Sequence, residues 1–273
     1  MQIEEVIEQI TAVDEACAVK AQERFDNLIK PVGSLAKLET MVTRYAAITG
    51  KYAKEDLDYP KKCLLIWGNI KSSAAAEKIL LGRWPVNVLA AETGAQAVPL
   101  LVMAADEAEA LAEGALLVKE HAAKDKLQML GFGCLNNDDE LVVAAMAGAL
   151  LQAAALKIPV MLDGIATCRA LRKAMTYNKL VQEYCFAGHI TLEDGMEKEL
   201  TEIGLDAPLR LNITDGCGEG AALAFTLFDA GLKAYKEMET FAEAGVHAEM
   251  KEFSHAEQVK EEQRKEFIWA KYI

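Results

Sequence analysis

From residue 61 onward, short apolar runs that end in glycine alternate with alanine-rich stretches of helical period, and few architectures accept that rhythm. Cys63-Leu64-Leu65-Ile66-Trp67 stops at Gly68, residues 127–133 and 158–164 likewise end in glycine, and 98–103 is a similar apolar run. Residues 184–188 and 209–213 read as weaker strands. The segments 105–124 and 139–156 between them have a helical period. Unbroken apolar runs suit strands buried on both faces, so the alternation predicts an α/β chain with an open, mainly parallel sheet under two layers of helices. Ligands of such sheets bind beyond the carboxyl ends of the strands. Gly68, Gly133, Gly164, Gly188 and Gly216 all fall there.

The first fifty residues are different in style. Ile3, Val6, Ile7 and Ile10 keep a helical spacing, as do Leu35, Leu38, Val42, Tyr45 and Ala46. Lys30-Pro31-Val32-Gly33-Ser34 separates the two, and Ser34 is the expected N-cap of the second helix. A long helix is expected from about Gly220 through Phe241, followed by a charged tail over 250–273. The organisation predicted is a Rossmann-like α/β domain over 60–220. Segments 1–59 and 221–273 together form a small helical domain beside it.

Composition narrows the function by exclusion. A formal net charge of −13 repels nucleic acid and anionic membrane alike. No apolar run approaches the roughly 20 residues that a membrane span requires, and no secretory signal opens the chain, so a cytoplasmic protein is expected. Cys17, Cys63, Cys134, Cys168, Cys185 and Cys217 stand singly, with no Cys/His spacing of a zinc site. His247 and His255, each opening a His-Ala-Glu triplet in the charged tail, read as solvated side chains.

Four blocks in sequence order carry a family likeness. The first runs from Arg24-Phe25-Asp26 through Lys30-Pro31-Val32-Gly33-Ser34-Leu35 to Leu38-Glu39. The second is Val86-Asn87-Val88-Leu89-Ala90, and the third joins Ala144-Ala145-Met146-Ala147-Gly148-Ala149 to Ile158-Pro159-Val160-Met161-Leu162-Asp163-Gly164. The fourth is Gly216-Cys217-Gly218-Glu219-Gly220-Ala221-Ala222 with Glu237-Met238-Glu239-Thr240-Phe241-Ala242-Glu243-Ala244-Gly245-Val246. Together they resemble the nicotinate mononucleotide:5,6-dimethylbenzimidazole phosphoribosyltransferases, in a shortened and divergent form. The resemblance implies transfer of phosphoribose from nicotinate mononucleotide to a benzimidazole-like or phenolic base, in assembly of the cobamide nucleotide loop. It also implies a homodimer, or a heteromer with a homologue. Loop amides would hold the phosphate, an apolar slot the base, and a carboxylate would take the proton. On that resemblance Lys30, Gly133, Gly164, Gly216, Cys217, Gly218 and Gly220 are the expected substrate contacts and Glu219 the expected catalytic residue. No metal and no cofactor are implied.

The departures fall at ligand-contact positions. Where the family has its catalytic glutamate, in a G-E-G-T-G-A-A loop, this chain has Cys217, with Glu219 two residues later. Glu219 either takes over the base role or sits in the first helical turn, where a negative charge suits the macrodipole. The family's nucleotide loop is replaced by residues 130–139, whose Asp138 and Asp139 suit a helix cap better than a phosphate site. Trp67 opens the stretch that replaces a family turn of the base pocket, Trp84 stands before the second block where smaller residues are expected, and each reads either as a slot wall or as a core filler. Two functions therefore stand side by side: an active transferase with a remodelled site, and a catalytically silent paralogue that binds a ligand or partners an active homologue.

Overall fold

The computed structural model describes residues 2–245; the charged tail with His247 and His255 lies outside the described residues. Five strands form one parallel sheet: β1 (Lys62–Gly68), β2 (Gln96–Leu101), β3 (Met129–Cys134), β4 (Val160–Asp163) and β5 (Cys185–His189). Their order across the sheet is β2-β1-β3-β4-β5. β1 pairs with β2 on one side and β3 on the other, so the chain changes direction across the sheet between β1 and β3. Such a switch point leaves a crevice beyond the strand ends.

Every residue of β1 and β3 is buried, as continuous apolar runs require when helices cover both faces. One layer is built from α6 (Glu107–Asp125), α7 (Glu140–Ala155) and α8 (Ile165–Tyr177), with α7 against β1 and α8 against β3 and β4. α7 is apolar nearly all round, and it buries Val142 through Ala154 without interruption. α10 (Glu219–Glu237) lies along β3, β4 and β5, with α5 (Pro85–Ala91) beside it, and α4 (Ser73–Leu80) packs on β2. The short α9 (Met196–Glu202) rests on α8. Among the described residues no helix is long and apolar enough to cross a membrane.

α1 (Ile3–Glu8) packs on α6 and α7, while α2 (Glu15–Asn27) pairs with α3 (Lys37–Thr49). α10 reaches both parts of the molecule. Its start meets β5 through Ala221 and Ala224 beside Gly188, and its later turns pack on α3, where Phe228 meets Tyr45 edge-on at 5.1 Å. Further along, Tyr235 meets Phe25 of α2 at 5.0 Å. A salt bridge ties the middle of α10 to the sheet: Lys62 of β1, almost fully buried, reaches Asp229 at 2.7 Å.

Three local expectations are corrected. Ser34 is not a cap: α3 begins at Lys37 after Ala36, whose φ is 45°. Gly33, at φ +72°, turns the chain, and Glu39 organises the turn by accepting from the Leu35 amide at 3.0 Å. α10 ends at Glu237, short of Phe241, because Met238 turns extended and Thr240 forms an antiparallel bridge with Leu28. Residues 209–213 make only one parallel bridge, His189 with Leu209, because Asn212 adopts φ 58°, which no strand continues. Trp67 is fully buried and tilts against Phe132 at 5.4 Å, so it fills the core.

Helices α6 and α7 approach so closely that two glycines form the contact. A Cβ on Gly114 would stand 1.7 Å from the Ala145 carbonyl oxygen, and one on Gly148 would stand 2.0 Å from that of Leu111. Backbone cannot yield as a side-chain tip can. On an exposed helix Gly→Ala stabilises by about 1 kcal/mol. Here Gly114→Ala or Gly148→Ala should destabilise by about 3 kcal/mol, as overpacking does. Urea denaturation checks the sign: an unchanged or raised midpoint would refute the close crossing.

Candidate active site at the carboxyl edge of the sheet

The loop 214–218 is laid over the ends of β3 and β4 by contacts that only glycine permits. A Cβ on Gly133 would stand 2.4 Å from the Gly218 nitrogen, and one on Gly164 would stand 2.4 Å from the Gly216 Cα. Gly164 and Gly218 have φ of +82° and +105°, which other residues resist. The Cys134 amide donates to the Gly216 carbonyl at 2.8 Å and joins β3 to the loop. Gly133, Gly164, Gly216, Cys217, Gly218, Glu219 and Gly220 are therefore brought together. At Gly133, Gly164 and Gly216 the space a side chain would fill is taken up by protein backbone, and at Gly218 by the side chains of Ile66 and Val86, so these glycines seat the loop on the strands.

Asp163, the last residue of β4, holds this arrangement from beneath. It is fully buried, and its Oδ2 accepts from the Gly218 amide at 3.0 Å and the Gly220 amide at 2.9 Å. Burial pushes its carboxyl up to about 8, against the pull of those amides, and nearby Glu219 and Glu193 add to the rise. A Cβ on Gly220 would collide with Asp163 Oδ1 at 2.3 Å and with the His189 Cβ at 2.5 Å, so this position too requires glycine. His189, at the end of β5, accepts from the Leu211 amide through Nε2 at 2.9 Å. Burial, and then Arg210, lowers its pKa and keeps it neutral.

Helix starts at this edge are closed by carboxyl groups of the chain itself. Asp139 caps α7, accepting from the amides of Leu141 at 3.0 Å and Val142 at 3.2 Å. Glu193 accepts from the Ile165 amide at 2.8 Å at the start of α8, from the Thr191 hydroxyl at 2.6 Å, and from the Asn137 side chain. Asp163 does the same for α10. Helix N-termini are the usual phosphate seats of such sheets, and here three are occupied from within. In the crevice between β1 and β3, Asn136 Oδ1 accepts from the Asn69 amide at 2.9 Å and from the Ser72 hydroxyl. Asn69 in turn donates to Asp139 at 2.6 Å.

Glu219 is the first residue of α10, only 8% exposed, with its Oε2 unpartnered. Burial raises its pKa, its own amide lowers it, and Asp215 raises it again. Cys217 donates to the Cys134 carbonyl at 3.5 Å, and burial keeps its thiol strongly protonated, with Asp215 and Glu219 contributing. Lys30 is not in this group. It forms a buried ion pair with Glu39 at 2.8 Å, next to the chain that returns past α10, where the Ile29 amide donates to Glu239. Nineteen residues of α10 separate the two places, a length of roughly 28 Å. Trp84 is half-buried before α5, with Lys78 over its ring at 5.4 Å. Sequence reasoning missed Asp163, His189 and Glu193. The available signal was an acid or histidine closing an apolar run, which Asp163 and His189 do; Glu193, in the loop beyond β5, carried no such signal.

A family model described as phosphoribosyltransferase matches this chain in two overlapping spans, residues 10–128 and 67–246. A nicotinate-nucleotide–dimethylbenzimidazole phosphoribosyltransferase of Geotalea uraniireducens (strain Rf4) is 28% identical over 347 positions, covering 89% of this chain and 98% of that protein. That alignment is longer than the chain's 273 residues, so the relative carries internal segments absent here. The protein of the same name from Roseobacter denitrificans is 35% identical over 179 residues, 66% of this chain and 50% of that one. Among solved structures, the phosphoribosyltransferase of that kind from Thermus thermophilus superposes with a TM-score of 0.74 at 19% identity. The match covers 86% of this chain and 99% of that one, and the two share the fold.

Removing Asp163 tests the seat. Asp163→Ala leaves two buried amides without an acceptor and should cost about 3 kcal/mol, whereas Asp163→Asn keeps one acceptor oxygen and should cost less than half of that. The raised carboxyl has a pH signature. Its folded value lies above the unfolded one of about 3.9, so its contribution is full below pH 4 and is lost as pH rises toward 8. Urea midpoints from pH 4 to 8 should fall more steeply for the wild type than for Asp163→Asn. Parallel curves would show that the side chain is ionised throughout.

Proposed function

The chain belongs to the phosphoribosyltransferase family, and from that premise we propose that it transfers the phosphoribosyl group of nicotinate mononucleotide to a benzimidazole-like or phenolic acceptor. The observation that carries this reading is Glu219: a carboxylate almost fully buried, with one oxygen unpartnered, in the loop that matches the family's catalytic loop. In the reaction the acceptor nitrogen or oxygen attacks the anomeric carbon, nicotinate leaves with the electron pair of the broken bond, and the acceptor sheds a proton. Glu219 receives that proton. Burial raises its proton affinity toward the working range, which favours a general base. Gly133, Gly164, Gly216, Cys217, Gly218 and Gly220 shape the floor of the substrate cleft, and Lys30 has a structural part through Glu39. A cytoplasmic setting suits six free cysteines, five of them buried. A homodimer, or a heteromer with a homologue, is the expected assembly.

A second reading is favoured by one specific observation. The starts of α7, α8 and α10 are closed by Asp139, Glu193 and Asp163, which leaves a phosphate fewer free amides than a nucleotide cradle offers. With Cys217 at the family's glutamate position, this describes a silent paralogue that partners an active homologue. Calorimetric titration with nicotinate mononucleotide separates the two. The transferase reading expects saturable binding and turnover with a benzimidazole or phenol, with turnover falling by about 10²–10⁴-fold in Glu219→Gln. Turnover undiminished by that change removes Glu219 as base. No nucleotide binding, together with co-purification of a longer homologue, establishes the partner subunit instead.

A further inference from the structure

Asp215-Gly216-Cys217-Gly218-Glu219 alternates potential ligands with glycines, and the fold gathers the three side chains. One ligand atom each from Asp215, Cys217 and Glu219 lies within 4.8 Å of the other two. Their burial grades from outside to inside: Asp215 is exposed, Cys217 half-buried and Glu219 buried. The loop that carries them is rigidly placed, with Gly216 pressed on Gly164 and the Gly218 amide held by Asp163. An independent observation points to a ligand. Glu219, more than nine-tenths buried, has an oxygen with no hydrogen-bond donor, an arrangement that costs free energy until a proton or a cation satisfies it.

We infer that Asp215, Cys217 and Glu219 bind a divalent cation of the zinc class. Zinc–sulfur and zinc–oxygen bonds of about 2.3 and 2.0–2.2 Å place ligand atoms roughly 3.5 Å apart around a tetrahedral ion. The three groups therefore need to draw in by about an ångström, which rotation of exposed Asp215 and half-buried Cys217 supplies. One sulfur with two carboxylate oxygens selects zinc, or cobalt as its substitute, over magnesium and calcium, which take oxygen alone. The exposed Asp215 side leaves the fourth position to water. Binding displaces the thiol proton of Cys217 to solvent, and no other bond changes. A regulatory consequence rests on the transfer reading above: a cation on Glu219 removes the carboxylate that would accept the acceptor's proton, so zinc inhibits.

The test is cobalt titration of the chelator-treated full chain, followed in the near ultraviolet. A thiolate-to-cobalt charge-transfer band that saturates at one equivalent and is displaced by zinc supports the site. The band should vanish in Cys217→Ser, and Asp215→Asn, a change at an exposed position, should weaken cobalt by at least ~10-fold. Circular dichroism verifies that both variants are folded. No band in the wild type at millimolar cobalt overturns the proposal, and so does a band that survives Cys217→Ser, which would belong to another cysteine. Should Cys217→Ser fail to fold, Asp215→Asn decides alone: an unchanged cobalt affinity overturns the site. The band is read without substrate, so a chain that binds cobalt but transfers nothing counts against the proposed reaction and leaves the metal site standing.

Discussion

The buried carboxyl of Asp163 is the point from which the carboxyl edge of the sheet is organised. By accepting from the amides of Gly218 and Gly220 it holds the start of α10 at the end of β4, 55 and 57 residues away in sequence. Gly164 and Gly133 let the loop descend until backbone meets backbone, and Gly216 returns the contact. Once this loop is seated, Glu219 must enter the protein rather than solvent. A first-turn glutamate that serves only the helix dipole would remain in water. That difference is what makes Glu219 chemically interesting.

The same constraint explains why the family likeness and the local chemistry are partly at odds. The fold keeps the switch point between β1 and β3, where a ligand belongs. The helix starts around it are nonetheless closed by the chain's own acids, and Asn69, Ser72 and Asn136 satisfy one another in the crevice. Glu219 and Glu193 add to the proton affinity of buried Asp163, and carboxyl groups gathered at one edge attract cations more readily than phosphate. A nucleotide entering here must compete with bonds already made.

The N-terminal signature carries a different burden. Lys30 in its middle and Glu39 at its end close on each other in a buried pair, and Glu39 also accepts from the Leu35 amide and from Gln22 at 3.0 Å. Arg24 donates to the carbonyls of Tyr235 and Met238 at 2.9 and 3.1 Å. These bonds clasp α2, α3 and the end of α10 into one body. Removing either member of the Lys30–Glu39 pair would strand a buried charge, a reason for both to persist that is independent of catalysis.

Much of the architecture was written in local pattern. Apolar runs such as Cys63 to Trp67 marked strands buried on both faces, glycines marked their carboxyl ends, and Asp139 marked the start of α7. These are properties of neighbouring residues, since periodicity and capping act over one or two turns. The terminus of α10 and the fate of residues 209–213 were not legible, because a bridge from Leu28 and the left-handed Asn212 decided them. Tertiary structure alone decided that Asp163 and Glu193 seat loops far along the chain, that Lys30 turns to Glu39, and that Glu219 is buried with a free oxygen. Which polar groups are buried, and with whom, depends on partners brought from distant segments, and no local spacing encodes that.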